Sequence, residues 1–145
     1  KSSGIKVPLN YEEITELTFD GGKEAMQRLL KAEVPPSAVC CISDVVAIGA
    51  MQALREKGIR PGQEVSIIGY DGLELGAWLD PPLTTMHQPL KLAGEKLAQM
   101  LLNIVESGSL PLNNQELVRA SLVRRETANA PLSTWPPIRK DSGKP

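Results

Sequence analysis

The stretch "VSIIGYDG" (residues 65 to 72) ends an apolar run on an aspartate set between glycines. A carboxylate there can accept two hydrogen bonds from vicinal hydroxyls, or one from a base nitrogen. Gly69 and Gly72 let the backbone turn sharply or approach a ligand beside it. A second polar pair, Ser43-Asp44, follows the apolar run "AVCCI", and His87-Gln88 follows "PPLTTM". Phe19, at the end of "EITELTF", offers an aromatic face for stacking. Each position also has a plain structural use. Asp71 suits the cap of a short "LELGAW" helix, Ser43 or Asp44 the cap of the next helix, and Phe19 a place in the core.

Hydrolytic chemistry finds little here. A nucleophile needs a base within reach and a third group to orient it, and His87 is the only histidine. Neither a G-x-G-x-x-G nor a P-loop is present. Cys40, Cys41 and His87 are too few for a metal site. Binding is therefore expected rather than catalysis, with neither metal nor cofactor.

The elements that must hold these residues alternate. Residues 13 to 19 read as a strand, "GGKEAMQRLLKAE" as a helix ended by Pro35-Pro36, and 38 to 43 as a short buried strand. Residues 44 to 58 form a helix stopped at Gly58, and 65 to 70 a strand apolar almost throughout. After "LELGAW" and an extended "DPPLTT", Pro89 opens a long helix over about 90 to 106. Residues 115 to 126 read as a late strand, and the Pro-rich residues 128 to 145 as a disordered tail. Alternating strands and helices imply an α/β fold with a parallel sheet. Ligands of such sheets sit outside the carboxyl ends of the strands, where Ser43 and Asp71 both fall.

With 145 residues the chain fits one domain able to bury roughly 70% of its unfolded surface. A net charge of −1 cannot drive strong non-specific DNA binding by this chain alone. No apolar run reaches the length of a membrane span, and Lys1 to Asn10 lacks the apolar core of a signal peptide. The adjacent cysteines read as buried reduced thiols, as in the cytoplasm. The helix at 44 to 58 is apolar nearly all round. Leu73, Leu75 and Trp78 add to that surface, so either a homo-oligomer contact or a thicker core is expected.

The stretch "SDVVAIGAMQALREKGIRPGQEVSIIGYDGLELGAWLDPPLTTMHQPLKLAGEKLAQMLL" resembles the lactose/galactose repressor family of bacterial transcription regulators, and the resemblance runs from "GIKVP" to "SLVRRET". It implies a periplasmic-binding-protein-like (type I) core, a three-layer α/β/α arrangement of which this chain is an incomplete part. The effector, a sugar, sugar acid or purine, would lie between two subdomains. Residues 1–86 and 115–127 would form the C-terminal subdomain, and 87–114 the crossover and helix of the otherwise missing N-terminal one. Operator DNA would be bound by a helix-turn-helix absent from this chain. The resemblance carries effector binding to Asp71, Ser43, Gln88 and Phe19. It carries a homodimer interface to Lys23, Ile48, Met51, Leu75 and Trp78. A periplasmic sugar-binding protein feeding a transporter is the rival expectation.

Overall fold

A computed structural model describes residues 11–111 and 114–129. Thr18 accepts a hydrogen bond from the Gly21 amide and so starts α1 (Phe19–Leu29). Strand β1 (Ala38–Cys40) leads to Ser43, whose Oγ accepts from the Val46 amide at 3.2 Å and caps α2 (Asp44–Glu56). Strand β2 (Ser66–Asp71) is followed by a 3-10 turn at Glu74–Trp78 and by β3 (Thr84–His87). Helix α3 (Leu90–Ser107) begins after Pro89 and stops at Gly108, whose φ of 65° closes it in the left-handed region. Strand β4 (Ser121–Val123) completes the sheet.

The sheet order is β1-β2-β3-β4. β1 pairs with β2 and β2 with β3 in parallel, while β4 returns antiparallel on β3. This is the open, largely parallel sheet that the strand–helix alternation implies. Met26, Leu29, Ala47, Met51 and Leu54 from the helices meet Val65, Ile67 and Leu83 to form the core. Ile67 is buried on that side, whereas Ile68 is partly exposed and Tyr70 exposed on the other. Among the described residues, then, α1 and α2 supply one helical layer.

Three expectations need correction. Residues 13 to 19 form no strand: the alternation E-I-T-E-L-T-F finds no ladder partner among the described residues, Ile14 and Leu17 stay exposed, and Phe19 already belongs to α1. The late strand shrinks to three residues. The cysteines are not both buried, because successive side chains on a strand point to opposite faces. Cys40 is exposed and Cys41 buried, and burial pushes the Cys41 thiol up to about 12. As for the expected tail, residues 130–145 lie outside the described residues. Asn129 is still tied to the fold, donating from Nδ2 to the Gly62 carbonyl at 2.8 Å.

No helix among the described residues is long and apolar enough to cross a membrane.

Candidate functional site

β1, β2 and β3 all end at the same edge of the sheet. Cys40 pairs with Ile68, so Ser43 and Asp71 each lie three residues beyond a matched pair. Asp71 in turn pairs with His87. The carboxyl edge thus collects Ser43, Asp71, His87 and Gln88 from three neighbouring strand ends.

Asp71 is the one non-glycine residue with positive φ among the described residues, at 116°. An L-residue adopts that backbone only at a cost of roughly 1–3 kcal/mol, which the surroundings must offset. Two contacts hold it in place. Gln88 Nε2 donates to Asp71 Oδ1 at 2.8 Å, and the Gln88 amide donates to the Asp71 carbonyl at 3.2 Å. Oδ2 meets no hydrogen-bond partner among the described residues. One carboxylate oxygen is therefore fixed and the other is available to accept.

Gly72 follows with φ 81°, and a Cβ placed there would lie 2.4 Å from His87 Nδ1 and 2.7 Å from His87 Cα. Gly72 is required both by its backbone angle and by the nearness of β3. Gly69 serves a different purpose. A Cβ on it would sit 2.1 Å from Asp44 Oδ1, so its bareness makes room for a buried carboxylate rather than for a ligand.

The side chains expected at the site divide accordingly. Asp71 and Gln88 come into direct contact. Ser43 reaches the same edge, but it is buried and its Oγ serves the α2 cap. Phe19 opens α1 instead of ending a strand and is half exposed. Asp44 does not face outward beside Ser43. It is 0% exposed and accepts from Gly72 N, Leu73 N and Thr85 Oγ1. Only the glycine at position 69 hinted at this, since a central strand lacking a side chain signals that something approaches it.

The residues expected at a homodimer contact also separate. Met51 is 0% exposed and belongs to the chain's own core, so it presents no surface to a second copy. It lies about two turns along α2 from Asp44, on the face of that helix turned to the sheet. Ile48 is partly buried against the same core. Lys23 pairs with Glu56 at 2.8 Å, which raises the lysine and lowers the carboxyl from their ordinary values, the hydrogen bond between them being the main cause. Leu75 and Trp78 are exposed, Trp78 at 85%.

A separate apolar cavity of about 470 Å³ lies beside β1, lined by Ile14, Leu17, Met26, Leu29, Val39 and Cys41 among others. Neither Asp71 nor Gln88 borders it.

The strand ends gather polar side chains at the edge where open α/β sheets bind their ligands, and comparison with known proteins gives the chain a family. Residues 3–128 match the model of the periplasmic binding protein-like domain. The chain belongs to that family.

Its relatives within the family are transcriptional repressors. It is 37% identical over 123 residues to the HTH-type transcriptional repressor CytR of Escherichia coli, covering 81% of this chain and 36% of the relative. It is 45% identical over 107 residues to the ribose operon repressor of Haemophilus influenzae, covering 70% of this chain and 32% of the relative. The chain thus spans about a third of the length of the curated relatives it matches. Among solved structures, a LacI-family regulatory protein of Chloroflexus aggregans superposes with a TM-score of 0.78 at 35% identity, over 86% of this chain and 45% of that one. A LacI-family transcriptional regulator of Arthrobacter in complex with lactose gives 0.72 at 26% identity, over 79% and 43%. The Lac repressor dimer bound to operator and an anti-inducer gives 0.70 at 34% identity, over 78% and 39%. These matches place the chain with the LacI-type regulators. Such relatives favour a repressor's effector-binding region over a transporter's binding protein, and they are not enzymes.

Proposed function

We propose that this chain is the effector-binding and dimerisation region of a LacI-type, DNA-binding transcriptional repressor acting in the cytoplasm. Asp71 is its main polar anchor. The observation that carries the reading is the Asp71 carboxylate itself, held at positive φ on the carboxyl edge of parallel strands, with one oxygen oriented by Gln88 and the other without a partner among the described residues. Two vicinal hydroxyls of a sugar match that arrangement, and the lactose complex of the Arthrobacter relative supports a sugar over a sugar acid or a purine. Ser43 and Phe19 are assigned to the same effector site.

The division into subdomains accords with α3. None of its residues is buried, and Leu90, Leu97, Leu101 and Val105 lie exposed along it, Leu97 at 65%. An apolar stripe of that length on a helix normally packs on something. Residues 1–86 and 115–127 form the C-terminal subdomain, and 87–114 cross to the N-terminal one, which supplies the second wall of the effector cleft. Leu75 and Trp78, with the Lys23–Glu56 pair, contribute to the homodimer contact. Effector binding shifts the balance between cleft-open and cleft-closed states, and the dimer relays that shift to a helix-turn-helix on operator DNA.

The test is a thermal-shift panel on the natural polypeptide containing these residues, with D-ribose, lactose, cellobiose and a purine base. One of them at about 100 times its Kd is expected to add about 2.7 kcal/mol of stability, or roughly 5–10 °C in Tm. That ligand is also expected to alter operator affinity. Saturable binding of none of the four, together with unchanged operator affinity in their presence, contradicts the reading.

A further inference from the structure

The turn that carries Asp71 is held from below by a carboxylate on another element. Asp44 is the first residue of α2 and is fully buried. Its Oδ2 accepts from Gly72 N at 3.0 Å and from Leu73 N at 2.7 Å, the two amides immediately after Asp71. Its Oδ1 accepts from Thr85 Oγ1 at 2.6 Å on β3, and packs against Gly69 on β2. A single side chain therefore joins the start of α2 to β2, β3 and the turn.

Successive positive φ angles at Asp71 and Gly72 are what bring the amides of 72 and 73 onto one oxygen. Without that acceptor the two amides lose their partner. The left-handed backbone at Asp71, which costs free energy, then loses the interaction that offsets it. Relaxation of Asp71 to negative φ would swing its carboxylate away from Gln88.

We infer that Asp44 is a positioning residue for effector binding: its buried carboxylate holds the 71–73 turn so that the Asp71 carboxylate faces the ligand. The inference rests on the reading of Asp71 as the anchor, and it adds that the anchor works only while a second, inaccessible aspartate grips the following amides. Thr85 provides the contrast, because it binds the other oxygen and does not touch the turn.

The experiment is a double-mutant cycle on the natural polypeptide, titrated with D-ribose as probe, together with crystal structures of the single variants. Asp44→Ala is expected to weaken D-ribose binding about tenfold or more, the scale of one lost charge-assisted hydrogen bond. In an Asp71→Asn background the same change is expected to cost little further affinity, because the group it positions is already gone. Asp44→Asn keeps an acceptor for both amides and is expected to recover most of the binding. Thr85→Val is expected to lower Tm without changing affinity.

If Asp44→Ala does not fold, the comparison of Asp44→Asn with Thr85→Val decides. A small affinity loss confined to Asp44→Asn supports positioning, and equal effects or none overturn it. A crystal structure of a folded Asp44→Ala variant in which Asp71 keeps its positive φ and its Gln88 bond overturns the proposal whether or not D-ribose binds. An Asp71→Asn variant with unchanged affinity defeats the anchor reading itself. Weakened binding in Asp71→Asn with fully additive losses in the cycle defeats only the role of Asp44.

Discussion

Gly49→Val is expected to cost about 4–5 kcal/mol or more, a large part of the 5–15 kcal/mol that ordinarily holds a domain together. The reason lies where the two helices cross. A Cβ at Gly49 of α2 would stand 2.0 Å from the Phe19 carbonyl oxygen and 2.9 Å from the Lys23 amide nitrogen of α1. Reciprocally, a Cβ at Gly22 of α1 would stand 2.2 Å from the Val46 carbonyl oxygen of α2. Each helix contributes a glycine where the other's backbone passes. The obstacle is main chain on both sides, so no rotamer change relieves it, and the helices must separate. Separation uncovers Met26, Ala47, Ala50 and Met51, which fill the space between helix and helix or helix and sheet. Gly94 on α3 is the control, since a Cβ there meets nothing within 4 Å. Gly94→Ala should stabilise by up to about 1 kcal/mol through helix propensity alone. Urea denaturation of the three proteins checks both directions. A Gly49→Val protein as stable as wild type would show that the close crossing of α1 and α2 is wrong.

Asp71→Asn is expected to weaken effector binding by about 10- to 100-fold, the effect of losing a charge-assisted hydrogen bond worth roughly 1.5–3 kcal/mol. The substitution preserves volume, and the asparagine Oδ1 can still accept from Gln88. Fold and Tm should therefore change little. What is lost is the second acceptor, the oxygen that meets no protein partner among the described residues and is expected to meet the ligand. Titration of wild type and variant with the ligand found in the sugar panel measures the difference. Equal affinities would remove Asp71 from the site.

Local signals sufficed wherever the controlling interaction was local. The Ser43 cap, the stop of α2 near Gly58 and the end of β2 at Asp71 follow from residue types within a few positions of each event. So does the start of α3 just after Pro89. The shared carboxyl edge of Ser43 and Asp71 was legible too, because adjacent parallel strands present their ends side by side. The bond from Gln88 to Asp71 was not, since residues 84 to 87 read only as extended and not as a third paired strand. Nor was Asp44. Its partners lie 28, 29 and 41 residues away, and a buried carboxylate beside a helix cap looks in sequence like a second capping residue. The burial of Met51 was not legible for a related reason: a helix apolar all round does not state which of its apolar residues turn to the chain's own sheet and which outward. Residues 13 to 19 alternate with the period of a strand, yet a strand also needs an edge to pair with, and no periodicity contains that information. Cys40 and Cys41 differ because Cys40, the last residue of β1, faces outward and Cys41, the residue after it, faces inward.

The most direct measurement is a crystal structure of the natural polypeptide with its effector bound. Ligand hydroxyls are expected within hydrogen-bonding distance of the Asp71 carboxylate, at the carboxyl ends of β2 and β3 and beside Gln88. A ligand seated instead in the apolar cavity between Met26, Val39 and Cys41, with Asp71 facing only solvent, would contradict that expectation.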